Sequence, residues 1–456
     1  MRNSFRRIRI HFDVLILPHY NLISTAMYLR STPICIFLLT LFYSFAAQNP
    51  TPAPAQSGAI LIMGATAHLG NGSVISNSAI GFEGGKLTLV ADATTIRIDR
   101  SKYATVYDAS GKHVYPGFIA PVTNLGLAEI EAARATIDYA DIGQYNPNLR
   151  SLVAYNTDSE VIPTVRSNGV LLAQVTPSGG TISGSSSVVQ LDAWNWEDAN
   201  YRADEGIHLN WPQMSAAGGL GNPEVKKNEQ YDKDVQALQH FFEEAKAYAQ
   251  QAAPEVKNLR FEAMRGLFDQ NSTLYIHSDN AKTIQESVLF AERFGIRKVI
   301  VGANDAWLIP DFLKAHNVPV ILGKTQSLPA REDEDVDQPF KTATLLQEKG
   351  VLFAFSNDGF WQQRNLAFQA GQSVGFGLPM EAAISALTLN TAQMLGIDKT
   401  CGSLETGKDA TLFISKGDAL DMRTCKVTAA FIQGRTINLD NKHKQLNQRF
   451  EKKYRQ

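Results

Sequence analysis

Two side chains in this sequence stand where chemistry could be done. His277 closes the run "TLYIH" and Asp358 sits in "FSNDGF", each at the end of a short β-branched and aromatic stretch. An imidazole and a carboxylate at strand ends can move a proton, hold a ligand by hydrogen bonds or, with further donors, bind a metal. Each also has a plain structural use, as a hydrogen-bonded core histidine or as the cap of a following helix. Other candidates are weaker. "REDEDVD", Arg331 to Asp337, lacks the spacing and the glycine of a calcium loop and reads as a solvated loop. "PSGGTISGSSS" lacks the ending of a phosphate loop and reads as a connection between strands or a pocket edge. Trp194, Trp196 and Trp211 fall in one long excursion, as an aromatic lid or as packing. His208 lies in the same excursion, and nothing in the sequence brings it back to the other two.

The elements that would position His277 and Asp358 are legible. From Thr273 onward, short buried runs alternate with helices of ten or more residues: "TLYIH" leads to "AKTIQESVLFAERFG", and "KVIVG" to "AWLIPDFLKAHN". Alternation of that kind means parallel βα units, and over residues 113–401 it predicts a closed (β/α)8 barrel. From Gly58 to Lys112 the pattern is instead short and β-like, broken by the turn dipeptides Asn71-Gly72 and Gly84-Gly85. Strand patterns return over residues 402–439. A small β-sandwich built from both segments, beside an α/β barrel, is therefore the expected architecture, with residues 440–456 as a polar tail whose last residues are frayed.

The chain has 456 residues, 44 % of them hydrophobic and 19 % charged, as in an ordinary globular protein. A net charge of −2 and no basic stripe give no reason to expect nucleic acid as a partner. "MYLRSTPICIFLLTLFYSFAAQ" has the order of a secretory signal: basic Arg30, an apolar core from Pro33 to Phe45, then small residues. Residues 1–47 are read as the signal region, with Met27 as an alternative start and cleavage after Ala46 or Ala47. The apolar run is shorter than the ~20 residues of a membrane span, so the expectation is export, to the periplasm, without a stable span. Residues 48–57 read as a Pro-rich tether. Removal of the signal takes Cys35 with it and leaves Cys401 and Cys425, which in an oxidising compartment are expected to pair.

"VYPGFIAPVTN", "RNLAFQAG", "GFGLPMEAAISALTLNTAQMLGI" and "GSLETGKDATLFIS" resemble landmarks of the amidohydrolase superfamily, in particular its imidazolonepropionase-like members. The resemblance covers nearly all of the chain after the signal region. It implies a metal-dependent barrel that hydrolyses C–N bonds, other than peptide bonds, in small and often cyclic amides or amidines. It also implies ligands at the strand ends: a His-x-His pair on the first strand, one His each on the fifth and sixth, and an Asp on the eighth. Carried over residue by residue, the pair falls on Val122 and Asn124, the fifth-strand His on His277, the sixth on Gly302 and the Asp on Asp358. Three of the five places have lost their ligand, and no fourth-strand ligand stands out. The chain is therefore expected to be a divergent member with His277 and Asp358 as catalytic candidates, Val122, Asn124 and Gly302 lining the old pocket, and no metal cofactor. A small molecule is the expected partner. The alternative is a non-catalytic barrel that binds a ligand in that pocket.

Overall fold

The computed structural model describes residues 51–216 and 226–455; the signal region lies outside the described residues. From Asn49 onward the chain forms one unit. Its strands make two large sheets.

The first sheet joins the two ends of the chain. Strands β1 (Ile60–His68), β2 (Val74–Glu83), β3 (Lys86–Asp92), β4 (Thr105–Asp108) and β5 (His113–Pro116) come from the N-terminal segment. Later strands complete it, and the contact between segments is antiparallel, with Tyr115 opposite Phe413. The expected β module is present, as one eight-stranded sheet. Its core packs Ile62, Ile80 and Phe82 against Leu412 and Phe431. The Pro-rich stretch before it is extended but anchored: Ala53 N–H donates to Asp192, and the Gln56 side chain bonds Phe82 O and Gly85 N–H.

The second sheet is the barrel. The apolar run from Val114 is divided at Gly117, and β6 (Phe118–Thr123) starts the barrel after β5 has ended in the other sheet. It continues through β7 (Val170–Val175), β8 (Ile182–Gln190) and β9 (Asn200–Asn210). A two-residue ladder, β10 (Ser215–Ala216) with β11 (Lys226–Lys227), stands apart. The barrel resumes with β12 (Thr273–Ser278), β13 (Lys298–Gly302), β14 (Val320–Leu322) and β15 (Phe353–Phe355). The remaining strands, β16 (Leu412–Ser415), β17 (Val427–Ile432) and β18 (Arg435–Thr436), belong to the first sheet. The eight barrel strands are adjacent in chain order from β6 to β15.

One strand departs from the (β/α)8 pattern: β8 runs antiparallel to both β7 and β9. Only residues 176–181 link β7 to β8, far fewer than the dozen or so that a parallel crossover needs, so the chain turns back as a hairpin. The strand read over "SSVVQLD" begins earlier, at Ile182, inside the stretch read as a connection or pocket edge, with Ser183, Ser185, Ser186 and Ser187 all buried.

Alternation along each strand separates two cores. Ile119, Leu172, Tyr275, Val301, Ile321 and Ala354 form one cluster, the filling of the barrel. Their strand neighbours Phe118, Leu171, Ile276, Ile300, Val320 and Phe353 pack outward in the larger core shared with the helices. Helix Ala281–Phe294 shows how sequence sets these boundaries. The Asn280 side chain caps its start, Gly295 takes the left-handed conformation at its end, and Ile284, Ser287, Val288, Ala291 and Phe294 are its buried face. Residues Met394 to Cys401 close the end where the strands begin; there Arg202 donates to Leu395 O and to Asn271 O.

Two expectations are corrected here. Cys401 and Cys425 are free thiols. Cys401 packs in the barrel filling while Cys425 packs against the outer core, so each is held by different neighbours. The tail is not frayed: Lys442–Tyr454 is a helix, started by the Asn441 side chain accepting from Lys444 N–H.

Candidate active site

The strands β9 and β12 run side by side in parallel register, with His208 opposite Tyr275 and Asn210 opposite His277. This brings His208 back from the excursion onto the fourth barrel strand. Its Nδ1 lies 2.9 Å from Nε2 of His277, and its ring stacks on Tyr275 at 4.8 Å. His208 is fully buried, and its Nε2 has no hydrogen-bond partner. Burial pushes the pKa of His277 down to about 4, and burial with the neighbouring His277 pushes that of His208 well below its ordinary value. Both rings are neutral at pH 7. One N–H serves the bond between them. Donation from Nδ1 of His208 leaves a bare lone pair at its Nε2, which costs less than a stranded N–H.

Beneath the pair lies a buried carboxyl. Glu205 accepts from Gln174 Nε2 at 2.6 Å, Ser186 Oγ at 2.5 Å and the Tyr275 hydroxyl at 2.8 Å. Desolvation raises its pKa against the effect of those three bonds. Gln174 also accepts, on its own oxygen, the Val122 N–H at 3.0 Å. The network therefore ties the first strand to the floor under His208.

That tie matters because Val122 has φ of +51°. A β-branched residue in this region is strained by about 1–3 kcal/mol, and the bond to Gln174 holds it there. Val122 packs against the barrel filling. Asn124 turns aside, its amide donating to Thr176 O at 2.8 Å and Ser178 Oγ at 3.1 Å.

A cavity of about 340 Å³ opens over the carboxyl ends of β12 to β15, lined by Asp279, Gly302, Lys324, Glu334 and Asp358 among others. Gly302 and Asp358 meet here; Val122, Asn124 and His277 are not among the lining residues. Asp358 is largely exposed and pairs with Lys324 at 3.0 Å. Glu334 accepts from Ala330 N–H, with Arg331 at 3.1 Å; the acidic loop is thus cross-linked by Arg331, which also reaches Asp305 and Asp333. The cavity holds three carboxyls and one ammonium. None of the three tryptophans lines it: Trp211 is buried and donates to the Tyr231 hydroxyl, and Trp194 is exposed.

At Gly302 the space a side chain would take is already filled. A Cβ placed there would come within 2.5 Å of Asp279 Oδ1, and the backbone has φ of +89°. The Asp279 carboxyl fills the space that a sixth-strand side chain would need. As a residue Asp279 is exposed at the mouth, yet its carboxyl is tucked against this backbone. Its pKa is raised, first by desolvation and then by Asp305 and Asp358, against the bond from Asn304 N–H.

The superfamily's metal can be tested against these donors. Two imidazoles converge, but they bond to each other. Val122 has no donor, the Asn124 amide is engaged elsewhere, and Asp358 is paired with Lys324. Among the described residues no group of three or more His, Cys, Asp or Glu side chains is placed to hold a metal. A catalytic zinc takes three protein ligands. The residues present do not fit one.

Sequence reasoning missed Glu205 and Asp279, and it named His208 without placing it beside His277. The signal for His208 was the alternation in "GIHLNW", a strand pattern inside the tryptophan-rich stretch.

Residues 213–437 match the model of the Amidohydrolase family. Among curated proteins, Amidohydrolase tasK of Hapsidospora irregularis is 20 % identical over 376 residues, which cover 71 % of this chain. They cover only 36 % of that protein, so the chain spans about a third of the length of the curated relative it matches. Of solved structures, an amidohydrolase from Thermotoga maritima MSB8 superposes with a TM-score of 0.71 at 21 % identity, over 83 % of this chain and 99 % of that one. An adenosine deaminase from Xanthomonas campestris with bound zinc gives 0.51 at 16 %, over 89 % and 99 %. The barrel, the sheet shared by both ends of the chain and the match over residues 213–437 together make this chain similar to the Amidohydrolase family, with the fold of those solved structures.

Proposed function

We propose that the chain is an exported hydrolase of non-peptide C–N bonds in small amides, cyclic ones included, whose binuclear metal site has been dismantled. The match of residues 213–437 to the Amidohydrolase family supports hydrolase chemistry at that coarse level. The observation that carries the finer reading is the Asp279 carboxyl seated against Gly302 at the base of the cavity, where the sixth-strand ligand would have stood. His277 spends its lone pair on His208 and lies outside the cavity lining, so it positions its neighbours, and the carboxylate of Asp358, which lines the cavity, is the group able to accept a proton from water. Asp279, with its raised pKa, is suited to return one to a leaving nitrogen. A positioned base or acid contributes about 10²–10⁴, whereas a metal brings the pKa of its bound water from 15.7 to about 7. Slow turnover of activated amides is the consistent expectation.

The test is metal analysis of purified protein alongside a screen of cyclic amides and dipeptides. The expected result is well under one equivalent of zinc, manganese or iron. Hydrolysis should be insensitive to chelator and should fall roughly a hundredfold in Asp358→Ala and Asp279→Ala. Stoichiometric metal that is lost in His277→Ala would restore the metal-dependent enzyme. The second reading, a ligand-binding barrel without turnover, is favoured by the direct bond between the two imidazoles. It is supported instead if the screen yields ligands that raise the melting temperature and no product.

Export rests on the segment from Arg30 to Ala47. Among the described residues no helix is long and apolar enough to cross a membrane. N-terminal sequencing of the native protein should begin just after Ala46 or Ala47, and a mature chain that starts upstream of Met27 would reject export.

A further inference from the structure

The C-terminal helix Lys442–Tyr454 is mounted firmly at one end and bare everywhere else. Asn441 is buried and its amide donates to Ser167 Oγ; Lys442 pairs with Glu160, and His443 stands edge-on to Trp361. No residue of the helix itself is buried. Leu446, Phe450 and Tyr454 recur every four residues, on one stripe about 12 Å long, and their exposure rises outward from 38 % to 53 % and 77 %. Between residues 442 and 455 there are six lysines and arginines against one acid, Glu451. The segment is therefore at +5 in a chain of −2, which leaves −7 for the rest. Charge that is segregated in this way, around an uncovered apolar stripe, needs an outside explanation.

We propose that this helix docks the protein on an anionic lipid surface, lying in the interface with Leu446, Phe450 and Tyr454 turned into the lipid and its basic side chains over the headgroups. Charge selects this occupant. The helix of a second copy carries the same +5 and would be repelled. Residues 1–50 hold five arginines and one aspartate, the same sign again. Nucleic acid suits the charge but leaves the aliphatic and aromatic stripe uncovered. An anionic bilayer meets both features at once. The expectation of no basic stripe, drawn from the whole-chain charge, fails on this helix.

The experiment is co-sedimentation of the full-length protein with vesicles of phosphatidylcholine alone and of phosphatidylcholine with phosphatidylglycerol. The quantity read is the gain in binding when the anionic lipid is added, compared between parent and helix variants, so that the contribution of the basic N-terminal residues, common to all of them, cancels. A gain of about tenfold or more is expected, abolished by high salt. Lys452→Glu with Lys453→Glu should remove most of that gain, and Phe450→Ser with Tyr454→Ser should cut it about tenfold. All four side chains are exposed, so melting temperatures should stay unchanged. If both double variants bind the anionic vesicles like the parent, the helix is not the docking element. If the parent shows no gain, or binds DNA and not the vesicles, the lipid assignment is overturned.

Discussion

Between pH 6.5 and pH 4 the protein should lose stability at an unusually steep rate, because two imidazoles, His208 buried and His277 partly so, must remain uncharged in the fold. The sign comes from linkage. A histidine whose folded pKa lies below its unfolded value of about 6.5 binds its proton more readily when unfolded. Its contribution is therefore complete above pH 6.5 and is lost as the pH falls towards the folded pKa. For His277, pushed down to about 4, the loss amounts to about 3 kcal/mol. His208, lowered further by burial and by His277, adds in the same direction, and together they give a slope of up to about 2.7 kcal/mol per pH unit. Asp279 and Glu205 work the other way, since their raised pKa values let the fold take up protons before the unfolded chain does. Urea unfolding at a series of pH values measures the balance. In a His208→Asn, His277→Asn double variant the slope should flatten over this window, whatever the absolute stability. An unchanged slope would mean that the imidazoles are not the groups held neutral.

How much of this was legible depended on what each residue must do locally. The strands from Thr273 onward announced themselves because each is a short apolar run bounded by a helix with its own cap, such as Asn280 before Ala281–Phe294. The run "SSVVQLD" reads as a strand, and its antiparallel direction was readable in principle, since six residues cannot carry a parallel crossover, but the glycine and serines before it disguised the first residues of β8 as part of the connection. The serines of β8 are tolerated because they find partners: Ser186 bonds Glu205, and the Ser185 hydroxyl bonds Leu149 O. His208 was hidden for a related reason. Its strand alternates correctly only over its last residues, while its first half is polar and the tryptophans around it draw attention to surface packing. Gly302 was readable as a place without a side chain, whereas what fills that space was not: that a carboxyl two residues beyond His277 lies against it is a fact of three dimensions. The terminal helix escaped because sequence patterns find helices by the face they bury, and this one buries none.

The second large effect should come from Glu205, the side chain on which both halves of the candidate site rest. Glu205→Ala would remove the acceptor shared by Gln174, Ser186 and Tyr275 and leave a void in the barrel. Stranded buried donors and lost packing together put the cost at about 3–5 kcal/mol. Some donors have second partners: the Tyr275 hydroxyl lies 3.2 Å from Met394 O, and Gln174 Nε2 lies 3.1 Å from Ser186 Oγ. These limit the damage, and they make Glu205→Gln the informative comparison. A glutamine keeps one oxygen for Gln174 and Ser186 and offers its amide to the Tyr275 oxygen, whose own proton then turns to Met394 O. If desolvation holds Glu205 as the neutral acid, the direction of its raised pKa, this exchange should cost about 1 kcal/mol or less. A loss in Glu205→Gln as large as in Glu205→Ala would show instead that the fold needs the carboxylate charge. Because Tyr275 stacks under His208 and Gln174 holds the strained Val122, the alanine variant should also loosen the site at both strands. Faster amide hydrogen exchange at Val122 and Tyr275, in alanine but not in glutamine, is the signature that separates this positioning role from a general loss of stability.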